Sequence, residues 1–218
     1  MTQTMNKIYR SNANVRAIDS ESRTISGYAV VFNSWSRDLG GFCELIKPEA
    51  ITQELLNRSN IIMNTNHNDE QMLARWIEGQ GTLRLFLDET GLRFEFEAPE
   101  TERGNELLWN IRNGNLYECS FCFSLPANET CERWFRENGQ LRREISEIGG
   151  LYDCAIVNTA AYPATSVANR EQIDVEAICR SLDEADAEAE RQAEEARQAE
   201  IKEKLDNRLK DFLEKINI

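Results

Sequence analysis

The chain has 218 residues, 41% hydrophobic and 29% charged, enough for one domain with a sizeable core plus an appendage. Its formal net charge is -13, of which residues 171–218 supply -7, from fifteen acids against eight bases, and the remainder -6. No stripe of Lys and Arg exists to neutralise phosphates, so nucleic acid and anionic membrane are excluded as partners and proteins are expected instead.

From the N-terminus, Met1 to Ala17 is polar and lacks the apolar stretch of a secretion signal. Nowhere does the chain approach the ~20 consecutive apolar residues of a membrane helix, so it is expected to stay in the cytosol where it is made. The six cysteines, at 43, 119, 122, 131, 154 and 179, are accordingly expected to be free thiols, mostly buried. Val15 to Phe32 alternates around Ser26-Gly27 and reads as a first hairpin. After the loop Asn33 to Gly41, Cys43 to Ile46 is strand-like, and Pro48-Glu49-Ala50-Ile51 opens a helix ending by about Asn57.

Ile61 to Asn64 and Leu73 to Ile77 read as two strands joined by a polar loop, Thr65-Asn66-His67-Asn68-Asp69. Leu83 to Leu87 and Leu92 to Ala98 flank Asp88-Glu89-Thr90-Gly91, a hairpin signal. Thr101 to Arg112 has helical spacing through Leu107, Leu108 and Ile111, closed by Gly114. Strands follow at Tyr117 to Leu125, Leu141 to Ile148 and Leu151 to Val157. Short strands with two helices between them predict a mostly antiparallel barrel rather than alternating βαβ units.

From Val175 to Ile218 there is no Gly or Pro, and Ala, Glu, Arg, Gln and Lys dominate, as in one long helix or two. Ile178, Leu182, Ala185, Ala189, Ala193, Ala196, Ile201, Leu205, Leu209, Phe212 and Ile216 fall mainly three or four apart and form a narrow seam. Its middle is alanine only, so at roughly 25 cal/mol per Å² of buried apolar surface the seam predicts weak or conditional association. The expected division is a β domain over 1–170 and an acidic helical tail over 171–218.

His67 is the only histidine, so any chemistry that needs an imidazole at neutral pH must use it. Alone, it fits a surface histidine held by its Asn and Asp neighbours better than a catalytic base. Period-two alternation in Tyr117 to Phe123 puts Cys119, Phe121 and Phe123 on one strand face and Glu118, Ser120 and Cys122 on the other. Ser120 is a nucleophile only with a base within hydrogen-bond reach. Cys119 and Cys122 form a CxxC, but a strand sends them to opposite faces and no second pair completes a zinc set, so packing is the reading preferred. Cys122 shares the Ser120 face, which leaves a thiol nucleophile as an alternative.

Ser26-Gly27-Tyr28-Ala29, the apolar strand leading to His67, Asn115 to Phe123, and Leu151 to Val157 through Ala161-Tyr162-Pro163-Ala164 occur in that order. Together, over roughly Ile18 to Val167, they resemble the prohead proteases of tailed bacteriophages, a family similar in fold to the herpesvirus assembly proteases. The resemblance implies an α+β fold, a β-barrel ringed by helices, that cuts scaffold and capsid proteins during head maturation. It implies His67 as general base, Ser120 as nucleophile and Asp153 as the acid, with Glu147 as the alternative acid. It calls for no metal or cofactor, and it places the chain in the host cytoplasm, inside the assembling prohead. Capsid and scaffold proteins would be substrates, and the tail a scaffold or targeting segment, a seam for a homodimer, or a piece removed by self-cleavage after Pro163. Two departures stand out: Cys122 where the family commonly has Gly, and Asp153-Cys154-Ala155 where Glu-Val-Ser is commoner. A non-catalytic assembly protein working through its tail is the alternative function.

Overall fold

The computed structural model describes residues 8–17, 22–128, 130–158 and 173–216. The Ala161-Tyr162-Pro163-Ala164 segment and the expected point of self-cleavage after Pro163 lie outside the described residues. The chain divides into two compact units, Met1–Ile173 and Asp174–Ile218.

In chain order the first unit contains β1 (Ile8–Ala17), β2 (Thr24–Val31), β3 (Phe42–Ile46), a 3-10 turn (Pro48–Ala50), α1 (Gln53–Asn57), β4 (Asn60–Thr65), β5 (Asn68–Ile77), β6 (Gln80–Gly81), β7 (Leu83–Leu87), β8 (Gly91–Glu97), α2 (Glu102–Arg112), β9 (Glu118–Ser124), β10 (Glu132–Glu137), β11 (Gln140–Ile145) and β12 (Gly150–Val157). Nine strands form one sheet in the order β6-β5-β4-β12-β9-β1-β2-β8-β7, and three form another in the order β10-β11-β3. The large sheet is antiparallel except where β12 meets β4. Its interior is aromatic and aliphatic: Phe94, Phe96, Phe121, Phe123, Ile25, Leu92 and Ile61 are all fully buried.

The fold is α+β and mostly sheet, as expected, but the sheets do not close into a barrel. The two edge strands of the large sheet, β6 and β7, follow one another with only Thr82 between them. An antiparallel ladder between consecutive strands needs a loop of at least about two residues, so this seam has no hydrogen-bonded closure. The ring of helices reduces, among the described residues of this unit, to α1 and α2. The helix expected over Pro48 to Asn57 is also interrupted. Ile51 is extended (φ -119, ψ 117), and Thr52 starts α1 afresh by accepting a hydrogen bond from the Leu55 amide.

α2 follows its sequence pattern closely. Thr101 caps it through the Gly104 amide at 3.2 Å, Leu107, Leu108 and Ile111 are buried, and Gly114 beyond it has φ +72. β10 was not anticipated, although Asn138-Gly139 before β11, both at positive φ (52 and 77), is the dipeptide that a tight hairpin favours. The second unit is a single helix, α3 (Val175–Ile216), in which Ile201, Leu205 and Leu209 are exposed. All six cysteines are free, and all but Cys179 are buried.

Candidate active site

β9 runs through the middle of the large sheet, paired with β1 on one side and β12 on the other. Ser120 stands opposite Ala155, and Cys122 opposite Asp153. Directly opposed residues share a face, so Ser120, Cys122, Asp153 and Ala155 project to one side while Cys119, Phe121, Phe123, Cys154 and Ile156 enter the hydrophobic core on the other. Asp153 reaches that face through an irregularity. Leu151 pairs with Phe123 and Asp153 with Cys122, the next residue along, so Tyr152 is an extra residue, a β-bulge. Without it Asp153 would share the face of Leu151, two positions earlier.

His67 comes from the turn between β4 and β5. Asn66 and His67 both have positive φ, 53 and 56, the signature of a two-residue turn of the I′ kind. Asn66 ties this turn to the end of β12: its amide donates to the Ile156 carbonyl at 3.1 Å, and its Oδ1 accepts from the Asn158 amide at 3.2 Å. Thus anchored, the imidazole meets both partners. Nδ1 lies 2.6 Å from Asp153 Oδ1, and Nε2 lies 2.7 Å from Ser120 Oγ. A carboxylate only accepts, so Nδ1 carries a proton, and whenever the ring is neutral the Nε2 lone pair faces the serine hydroxyl. The side chains of Asp153 and His67 are 8% and 19% exposed and Ser120 is 2% exposed, so water competes little for these bonds.

The other residues singled out in the sequence lie elsewhere. Glu147 is exposed and accepts from Asn128 Nδ2 at 3.0 Å, away from the imidazole. Cys119 is wholly buried; burial, reinforced by the Asp153 charge, pushes its thiol far above the usual range, the opposite of nucleophilic activation. Cys122 is on the Ser120 face, opposite Asp153, and the imidazole Nε2 is directed at the Ser120 hydroxyl. Among the described residues no group of three or more His, Cys, Asp or Glu side chains could hold a metal ion. Asn66 was not recognised in the sequence as a supporting residue; the signal available was asparagine's tolerance of positive φ immediately before the histidine.

An imidazole linking a buried carboxylate to a serine hydroxyl has the connectivity of a hydrolytic relay. Independently, the sequence pattern of the caudovirus prohead serine protease family matches residues 11–179. The chain belongs to this family. It is therefore a bacteriophage serine protease of capsid maturation. No curated protein and no solved structure matches the protease significantly. The matched region takes in the first unit from β1 onward and the opening of α3. Among the described residues, no helix of the protease is long and apolar enough to cross a membrane.

Proposed function

We propose that the protease is an endopeptidase with Ser120 as nucleophile, His67 as general base and acid, and Asp153 as the carboxylate that orients the ring. The reading rests on one observation, the imidazole hydrogen-bonded at Nδ1 to Asp153 and at Nε2 to Ser120. Ser120 Oγ attacks the scissile carbonyl carbon while its proton passes to Nε2. The tetrahedral adduct then collapses: the C–N bond breaks, and the leaving amine takes the proton from Nε2. Water, deprotonated in turn by Nε2, hydrolyses the ester and restores the serine. Asp153 keeps the proton on Nδ1 and stabilises the imidazolium at each step.

Family membership supports capsid and scaffold proteins as the substrates, with cleavage inside the assembling prohead. The acidic helix α3, with its exposed Ile201, Leu205 and Leu209, is suited to dock the protease on other coat components or on a second copy of itself. The test is co-expression with the cognate capsid protein and mass spectrometry of the capsid N-terminus. Ser120→Ala and His67→Ala are each expected to leave the capsid protein uncut while retaining the wild-type circular dichroism. Processing at full rate by either variant would overturn the reading in favour of a non-catalytic assembly role.

A further inference from the structure

Four side chains mark out a quadrilateral on one face of the large sheet: Ser120 opposite Ala155, and Cys122 opposite Asp153. Opposed Cβ atoms in such a pair lie about 4.5–5.5 Å apart and diagonal ones about 7–8 Å. The imidazole spans one diagonal, from Ser120 to Asp153. At the ends of the other diagonal stand Ala155 and Cys122, a methyl and a thiol, both 0% exposed although they lie on the face that carries the hydroxyl. A flat ring laid across this quadrilateral rests on whatever occupies those two corners.

The direction of entry sharpens the point. His67 follows β4, and β4 lies on the far side of β12, with Asn64 opposite Ala155. To reach Ser120 from there the imidazole crosses β12 on the face that carries Ala155, and Cys122 is the next residue on that face of β9. Asn64 walls the β4 side: it is 0% exposed, and its Nδ2 is 3.4 Å from Asp69 Oδ1. With the strand spacing fixed by the ladders, added volume on this face beneath the ring moves it away from the sheet.

We infer that Ala155 and Cys122 are positioning residues that set the height and tilt of the His67 imidazole, and that its two hydrogen bonds require both corners to stay small. This rests on the proposed role of Ser120 and His67. A displacement of about 1 Å is enough to cost on the order of a hundredfold in rate, and branched side chains at either corner supply it.

The test uses two readouts on the full chain. Because His67 is the sole histidine, protein labelled with 15N-histidine gives the NMR signals of one imidazole. The second readout is the rate at which a fluorophosphonate phosphonylates Ser120, the Oγ–P bond forming as fluoride leaves. Ala155→Val is expected to lose the hydrogen-bonded Nδ1–H resonance and to slow labelling by about a hundredfold, whereas Ala155→Ser, nearly unchanged in volume, recovers both. Cys122→Val repeats the test from the opposite corner should Ala155→Val fail to fold. Retention of the resonance and of the labelling rate in either folded valine variant overturns the inference. Failure of the catalytic reading looks different: wild-type protein then shows the Nδ1–H resonance but no labelling at Ser120, and the resonance alone decides whether the two corners seat the ring.

Discussion

Asn66 and His67 are both held in the left-handed backbone region, which costs most side chains about 1–2 kcal/mol. This turn is kept because Asn66 is bonded through its amide and its side chain to the end of β12, the strand that also carries Asp153. The imidazole and the Asp153 carboxylate are thereby referred to one strand, and the 2.6 Å bond between them follows from that shared anchor. Under the proposed mechanism the carboxylate's task is to keep the proton on Nδ1, which predicts how it fails. Asp153→Asn offers an amide N–H where an acceptor is needed and favours the wrong tautomer, so kcat should fall on the order of 10⁴-fold with KM little changed. Glu147→Gln, at an exposed carboxylate held by Asn128, should leave the rate as it is. Steady-state kinetics of the two purified variants checks both. Equal losses from both substitutions would reject Asp153 as the specific partner of the ring.

At the scale of elements, regular alternation was legible and its interruptions were not. Period two along Tyr117 to Phe123 assigned Ser120 and Cys122 to one face correctly, because β9 is unbroken. The same count along β12 puts Asp153 with Leu151, in the core; the bulge at Tyr152 reverses that, and nothing local in the sequence marks it. Only the family resemblance pointed to Asp153. β10 escaped for another reason: its apolar residues do not alternate cleanly, since its sheet is cemented by charge. Arg143, in the middle strand of the small sheet and 0% exposed, pairs across the ladder with Glu44 on β3 at 2.9 Å and lies beneath the Trp134 ring of β10 at 5.1 Å. The guanidinium is also paired with the half-buried Glu132 of β10, so losing Glu44 leaves it one carboxylate, whereas losing Arg143 strands the buried Glu44 charge in low dielectric. Arg143→Met should therefore cost about 3–5 kcal/mol, while adding Glu44→Leu should restore much of it. Urea denaturation of the wild type and both variants measures this, and an unchanged midpoint for Arg143→Met would mean the pair contributes nothing net.

For the whole molecule, the acidic tail was read from composition and apolar spacing as one long helix or two, and α3 runs as one helix from Val175 to Ile216. The closure of the large sheet was not legible, because it depends on whether edge strands meet after every other pairing has been made. The expectation of buried free thiols carries a consequence for the entire fold. Cys119 and Cys154 are wholly buried on the core face of the central strands, and burial pushes both thiols far above the ordinary range; Asp153 adds repulsion at Cys119, and the neighbouring thiols add it at Cys154. Below the unfolded-state value of about 8.5 both states hold these protons and the stability is complete. Above it only the unfolded chain releases them, so each thiol removes about 1.4 kcal/mol of stability per pH unit until the folded-state value is reached. Wild-type protein kept reduced should therefore lose urea resistance steadily between about pH 8.5 and pH 10. A Cys119→Ala, Cys154→Ala double variant, less stable at pH 7 for want of packing, should show a markedly shallower decline. Parallel slopes for the two proteins would mean that these thiols ionise as readily in the folded chain as in the unfolded one, and that the central strands are not sealed from water.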